Sequence, residues 1–267
     1  MDTKTEDSRG ASYRNLHGGQ LESEDETNRQ SAQTILRILF RHVAPKSILD
    51  VGCGLGTWLS VARAFGVEDV QGVEGPWLEK ARLRVPADRV VLHDLAKPFR
   101  LGRRFDLAIC LEVAEHLEGE EAPGFIDSLT AHADLLLFSA AIPLQGGDCH
   151  VNEQWPDYWC ALFKERGFEV LDFIRAQIWG DHSIHLWLRQ NILLFVKSQV
   201  LESNMELASL NRHAGPLSIV HPVLYTSWLQ TANERIQEHQ KLMALLASGG
   251  TFSVKKESNG FLNISRL

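Results

Sequence analysis

Three glycines alternate in the stretch Asp50-Val51-Gly52-Cys53-Gly54-Leu55-Gly56, directly after the apolar run Ser47-Ile48-Leu49. A residue without a Cβ lets the backbone approach a ligand closely, so this run reads as a ligand-cradling turn at the end of a buried strand. A dinucleotide fingerprint would read G-x-G-x-x-G. Here the third glycine comes two positions after Gly54, and Thr57 stands where the fingerprint needs glycine, which argues against NAD or FAD. Glu74 ends a second apolar run, at the distance where an acid in such sheets reaches a ribose; its two oxygens can accept from two hydroxyls. Asp94 follows a third run in Leu92-His93-Asp94-Leu95. Its carboxylate can accept an adenine amino group while Leu95 packs on the ring face.

These residues need a particular scaffold. Short apolar runs at Ser47 to Val51, Val70 to Val73, Val90 to Leu92, Phe105 to Leu111 and Ala133 to Ser139 alternate with helical patterns at Thr57 to Phe65 and around Phe125, Ile126 and Leu129. Strand alternating with helix implies a parallel sheet. Before it, apolar positions Ala32, Ile35, Leu36, Leu39 and Phe40 predict an amphipathic helix from Asp25 to Val43, stopped by Pro45. After it come a helix from Glu153 to Arg166 and strands at Phe168 to Ile174 and Asn191 to Lys197. The last two strands read as a hairpin at the sheet edge, joined by a loop with Trp179, Asp181, His182, His185 and Trp187 that would serve as a lid or play a purely structural part. The expected fold is α/β: a Rossmann-like, seven-stranded, mostly parallel sheet with helices on both faces and an antiparallel edge hairpin. Residues 1–24 read as a flexible N-terminal arm, 25–200 as the main domain, 201–250 as a C-terminal helical extension and 251–267 as a frayed tail. Leu229, Ala232, Ile236, His239, Met243 and Leu246 recur three and four apart along a terminal helix. That helix docks on its own domain or pairs with a second copy in a homodimer; the repeat is short for a coiled coil, which favours docking.

The bulk numbers exclude other classes. With 267 residues, 44% hydrophobic and 23% charged, the chain suits one large α/β core. A formal net charge of −7 argues against a surface built to neutralise phosphates, so no nucleic-acid partner is expected. The four cysteines form no C-x-x-C pair, which suggests reduced thiols and a cytoplasmic location. No apolar stretch approaches the ~20 residues of a membrane span, so no membrane partner is expected either.

Residues 47–117 resemble class I S-adenosylmethionine-dependent methyltransferases through D-V-G-C-G-L-G, G-V-E, H-D-L and F-D-L-A-I-C-L-E-V-A-E-H-L. A looser similarity to bacterial small-molecule and glycan-cluster methyltransferases runs through H-V-N-E-Q-W-P-D-Y-W, R-Q-N-I-L-L-F-V and V-H-P-V-L-Y. The resemblance implies S-adenosylmethionine as cofactor. Asp50 and the backbone of Gly52, Cys53, Gly54 and Gly56 would cradle its methionine part, Glu74 the ribose, and Asp94 with Leu95 the adenine. Glu112 and Val113 would form the floor beneath the sulfonium.

In such a reaction the cofactor supplies the electrophile, and the protein mainly aligns the nucleophile. A hydroxyl acceptor gains roughly 10²- to 10⁴-fold from a positioned base, and histidine suits neutral pH. The candidates are His116, His150, His182 and His185; His150, in the loop after the fifth strand, is the expected catalytic residue. Trp155, Tyr158 and Trp159 form a stripe that would stack on a sugar or planar acceptor, with core packing the alternative role. Glu112, Glu115, His116 and His150 are similar to the metal set of small-RNA 2′-O-methyltransferases, although the spacing to His150 differs. The carboxylates of such a turn serve equally in helix capping and packing, and no metal is expected. The sequence thus points to O- or N-methylation of a small molecule, a sugar or secondary metabolite. The competing readings are metal-assisted methylation of a sugar diol, a nucleic-acid or protein methyltransferase, and a non-catalytic cofactor-binding scaffold.

Overall fold

A computed structural model of the chain describes residues 21–210, 217–249, 252–256 and 262–266. Residues 1–20 of the expected arm lie outside the described residues. The chain divides into two units, Met1–Ile219 and Val220–Leu267, so the first runs past the boundary expected at residue 200.

In the first unit, helix α1 (Leu21–Leu39) begins earlier than its apolar pattern suggests, taking in the last residues assigned to the arm. Strands β1 (Ser47–Val51), β2 (Asp69–Glu74), β3 (Val90–Leu92), β4 (Leu107–Leu111) and β5 (Leu135–Ser139) follow, with α2 (Thr57–Ala64) and α3 (Ala122–Thr130) between them. Then come α4 (Pro156–Glu165), β6 (Phe168–Leu171), α5 (Arg175–Ile178), α6 (Leu186–Asn191), β7 (Leu193–Lys197), α7 (Ser198–Ser203) and α8 (Met205–Leu210). The sheet order is β3-β2-β1-β4-β5-β7-β6. Pairs β1·β2, β2·β3, β1·β4 and β4·β5 are parallel, while β7 runs antiparallel to both β5 and β6.

Both faces of the sheet are covered, which is why its central strands β1, β4 and β5 are mainly apolar. On one face Ile48, Leu107, Ile109, Leu137, Leu194 and Val196 pack with Ile35, Leu36 and Leu39 of α1 and Leu59 and Ala62 of α2. On the other, Leu49, Ala108, Leu136, Phe138 and Phe195 pack with Phe125, Ile126 and Leu129 of α3 and Trp159 and Phe163 of α4. Neighbouring positions on a strand enter opposite layers, as the two-residue period requires.

The edge hairpin needs correction. β6 and β7 do pair, but two short helices, α5 and α6, replace the expected open loop, and Ile184, Leu188, Arg189, Gln190 and Asn191 in that segment are buried. A segment that buries this much takes helical form because its backbone polar groups must be satisfied. Helix α4 starts at Pro156 rather than Glu153: the residue before a proline is held extended, and Trp155 has φ −62° and ψ 149°. Strand β4 starts at Leu107, since Asp106 turns to accept the backbone N–H groups of Lys46 and Ser47.

The second unit contains α9 (Pro222–Ala247), with proline in its first turn and the His221 side chain accepting from the Val223 N–H. Strands β8 (Phe252–Lys256) and β9 (Leu262–Arg266) pair antiparallel, so the expected frayed tail is instead a two-stranded ribbon. No described helix is long and apolar enough to cross a membrane.

Candidate active site

Strands β1, β2 and β4 all deliver acidic side chains at their carboxyl ends, where open α/β sheets bind ligands. The chain leaves β1 through Gly52, Gly54 and Gly56, all left-handed with φ 76°, 52° and 78°. A Cβ on Gly52 would lie 2.3 Å from Cγ2 of Val113, so the glycine lets Val113 close over the turn. Gly54 is different: nothing lies within 4 Å of where its Cβ would be, so the turn presents bare backbone to open space there. These two positions explain why the spacing is glycine-rich.

Asp50 is buried, and its Oδ2 has no hydrogen-bond partner. Burial, and then the neighbouring Glu74 charge, push its carboxyl up to about 8. Glu74 accepts the N–H groups of Gly54 and Gly75, both at 2.7 Å. Burial raises its carboxyl, and the amides of Gly75 and Gly54 with the Trp77 side chain pull it partly back. Glu74 thereby ties the glycine turn to β2 and still has lone pairs for other donors. The residues fit a ligand that is cationic and carries hydroxyls: an orphaned carboxylate, a carboxylate at a strand end and an open glycine between them.

Asp94 sits after β3, half-buried, accepting from the Ala96 N–H at 3.1 Å and lying 3.2 Å from Lys97 Nζ. Leu95 is buried in the layer that holds Val51 and Val73.

At the end of β4, Glu112 takes a left-handed conformation, φ 53°, and its N–H bonds to the carbonyl and hydroxyl of Ser139. Its carboxylate accepts from Gln145 Nε2 at 3.0 Å and Asn191 Nδ2 at 3.1 Å. Burial raises it; the Ser139 contact and these amides lower it. Sequence reasoning singles out neither Gln145 nor Asn191. Asn191 does lie in the R-Q-N-I-L-L-F-V stretch, but nothing in that pattern says which polar residue turns inward.

Ala114–His116 forms a single tight turn rather than the start of a helix. Glu115 is fully buried, with no partner on either carboxylate oxygen, and α3 starts well after it, with Glu121 at the N-cap position. The capping role expected for these carboxylates is therefore not the one they play. Burial first, and then the Glu112 charge, hold Glu115 well above the usual carboxylate range, and the nearby backbone amides of Glu115 itself and Ala141 offset them only in part.

The loop after β5 brings His150 to the same place. Its Nδ1 lies 2.9 Å from Glu153 Oε1, and Glu153 also accepts the N–H groups of Leu144 and Gly146, both at 2.8 Å. The rings of His116 and His150 meet edge to face, centroids 4.9 Å apart. Glu115, His116 and His150 each offer a ligand atom within 4.8 Å of the others. His182 and His185 lie on the α5–α6 segment, where the His185 ring stacks on Trp187 at 5.9 Å.

The aromatic stripe divides. Trp155 is 39% exposed and Tyr158 half-buried, but Trp159 is 2% exposed and packs on Phe138 at 5.5 Å. Trp159 is a core residue, which corrects its place among the expected acceptor contacts. All four cysteines are free thiols. Burial raises Cys53, Cys110 and Cys160, so these three are unreactive packing groups.

The sequence family described as a methyltransferase domain matches residues 23–189. A search of curated protein sequences gives no match. Among solved structures, DesVI of Streptomyces venezuelae superimposes with a TM-score of 0.50 at 17% identity, over 74% of this chain and 100% of that one. It shows the same fold. The magnesium protoporphyrin IX methyltransferase of Synechocystis PCC 6803, with bound S-adenosylhomocysteine, gives 0.48 at 18% identity, over 71% and 94%. An S-adenosylmethionine-bound amino pentose methyltransferase from Micromonospora echinaspora gives 0.45 at 18%, over 74% and 97%.

Proposed function

The chain belongs to the methyltransferase-domain family, enzymes whose cofactor is S-adenosylmethionine, and on that premise we propose that it methylates an oxygen or nitrogen of a small molecule, a sugar or secondary metabolite. When bound, the cofactor supplies a methyl group activated by a sulfonium. Asp50 and the bare backbone of Gly52 to Gly56 hold its methionine part. Cys53 contributes only backbone there, since its thiol lies where a Cβ on Gly72 would be, at 2.6 Å. Glu74 accepts from the ribose, Asp94 and Leu95 meet the adenine, and Glu112 with Val113 forms the floor under the reacting centre.

The observation that carries the acceptor reading is the His150–Glu153 pair at 2.9 Å, on the loop beside this acid-rich site. A carboxylate can only accept, so it fixes the proton on Nδ1 and leaves the Nε2 lone pair for the acceptor. That lone pair loosens the acceptor's proton. Trp155, exposed further along the same loop, and half-buried Tyr158 in the first turn of α4 offer apolar faces to a sugar or planar ring. The acids around the site, and a net charge of −7, disfavour a polyphosphate acceptor.

The test is release of S-adenosylhomocysteine with a panel of hydroxylated and amino small molecules. His150→Ala should lower kcat by roughly 10²- to 10⁴-fold with cofactor affinity unchanged. Full turnover in that variant, or transfer confined to nucleic acid or protein, would overturn the reading.

A further inference from the structure

Buried carboxylates without partners are expensive, and Glu115 is the extreme case, with both oxygens orphaned at 0% exposure. A side chain that neither caps a helix nor joins an ion pair is accounted for if something positive sits beside it. Its neighbours show what that is.

Both adjacent histidines present the same nitrogen to an acceptor. His150 Nδ1 faces Glu153 Oε1 at 2.9 Å, and His116 Nδ1 faces the Cys149 carbonyl at 3.4 Å. Since neither acceptor can donate, each ring points its Nδ1–H at its acceptor, and the neutral tautomer this selects carries its lone pair on Nε2. This is the arrangement of metal-ligating imidazoles, whose second nitrogen is oriented by a carboxylate or carbonyl. The backbone is pinned to suit: the Val151 and Asn152 N–H groups bond to the Glu115 carbonyl at 2.9 and 3.0 Å, locking the His150 loop to the Glu115 turn. Among the described residues, the three left-handed residues other than glycine are Glu112, Leu144 and Cys149, at φ 53°, 68° and 61°. All three lie on the two segments that make this site, and such strain persists where the surroundings impose it for a purpose.

We propose that Glu115, His116 and His150 form a binding site for a divalent transition-metal cation beside the methyl acceptor. Two imidazoles and a carboxylate suit zinc, manganese or cobalt; magnesium and calcium prefer oxygen alone. Ligand atoms within 4.8 Å of one another need to draw in by less than about an ångström to sit about 2.1 Å from one ion. Three protein ligands leave coordination positions open, as catalytic rather than structural sites do. The cation offsets the Glu115 charge and, at a coordination position the protein leaves open, polarises an acceptor oxygen directly. This last role rests on the acceptor reading above and makes His150 a ligand of the ion in place of a proton acceptor, since one Nε2 lone pair cannot serve both; the binding site stands without it.

Untagged protein, stripped with a chelator and dialysed, is titrated with Mn²⁺ and Zn²⁺ by calorimetry and with Co²⁺ by visible absorption. One cation per chain is expected. Glu115→Gln, nearly isosteric, and His150→Ala, on the loop, should each weaken it tenfold or more while keeping wild-type circular dichroism and cofactor binding. Glu153→Gln, which reaches the ion only through His150, should weaken it about 10- to 100-fold. No stoichiometric uptake by the wild type, or unchanged uptake in both ligand variants, overturns the proposal. Cation uptake is read without any acceptor, so its failure leaves small-molecule methylation standing. Tight uptake in a protein that methylates no small molecule would instead sink only the acceptor reading.

Discussion

Two places in the first unit treat buried charge in opposite ways. Between β6 and α5, Arg175 and Asp172 are both buried and fully occupied. The guanidinium meets Asp172 through Nε at 2.8 Å and through Nη2, and its Nη1 reaches the carbonyls of Gln190 and Leu217 at 3.1 and 3.0 Å. At the ends of β1 and β4, Asp50 and Glu115 are buried just as deeply, yet three of their four carboxylate oxygens lack a partner. The histidines repeat the contrast. Buried His132 is satisfied on both nitrogens, by the Ser128 carbonyl at 2.6 Å and the Leu101 N–H at 3.0 Å, and its pKa is lowered by burial. His150 instead is held through Nδ1, by Glu153, and carries the lone pair of its Nε2 beside an orphaned acid. The contrast between a completed pair and carboxylates left without partners is what supports the reading of the second region as the place ligands complete.

The largest expected effect is on the completed region. Arg175→Ala strands Asp172 without its counter-charge and frees two carbonyls, and should destabilise by about 3–5 kcal/mol. Urea denaturation measures it, and the fraction still folded should bind cofactor normally. If Arg175→Ala instead spared stability and abolished binding, the division between the regions would fail.

Asp50→Asn acts in reverse. It should weaken cofactor binding by about 10- to 100-fold, the worth of a charge-assisted contact, while making the ligand-free protein more stable in alkali. The folded carboxyl titrates at about 8 against an ordinary 3.8. A raised carboxyl contributes stability that is complete below the ordinary value and is lost as pH climbs through the folded one. Relative to wild type, the melting temperature of Asp50→Asn should thus rise between pH 4 and pH 8 and level off above. A gain that shrank as pH rose would break the account.

The smallest stability effect belongs to Gly54→Ala. The left-handed backbone costs about 1–2 kcal/mol, and the new methyl meets nothing in the ligand-free protein. Its main effect should be on cofactor affinity, seen by calorimetry beside a mild melting shift. Affinity as in the wild type would mean that the open side of the turn is not where the ligand lies.

The parallel half of the sheet is readable from sequence because its strands are short, mainly apolar runs, three of which end at or beside an acid: Asp50, Glu74 and Glu112. Period and punctuation carry that information locally. The α5–α6 segment reads as an open lid because Trp179, His182 and Trp187 look like loop residues, and what makes the segment helical is burial against distant elements. Gln145 and Asn191 are invisible for a related reason: an amide signals nothing until tertiary structure turns it toward Glu112. The E-x-x-E-H spacing is visible, but it suits capping as well as a ligand set, and only the position of the α3 N-terminus, at Glu121, removes the capping role.

The central claim is that the orphaned carboxylate of Asp50 is completed by the cationic cofactor. Calorimetric titration of S-adenosylmethionine into wild type and Asp50→Asn at pH 8 tests it most directly, because the proton displaced from Asp50 appears as a buffer-dependent heat. One cofactor per chain is expected, with an ionisation contribution that varies between buffers in the wild type and falls in Asp50→Asn. Binding of equal strength and equal buffer dependence in both proteins would contradict it.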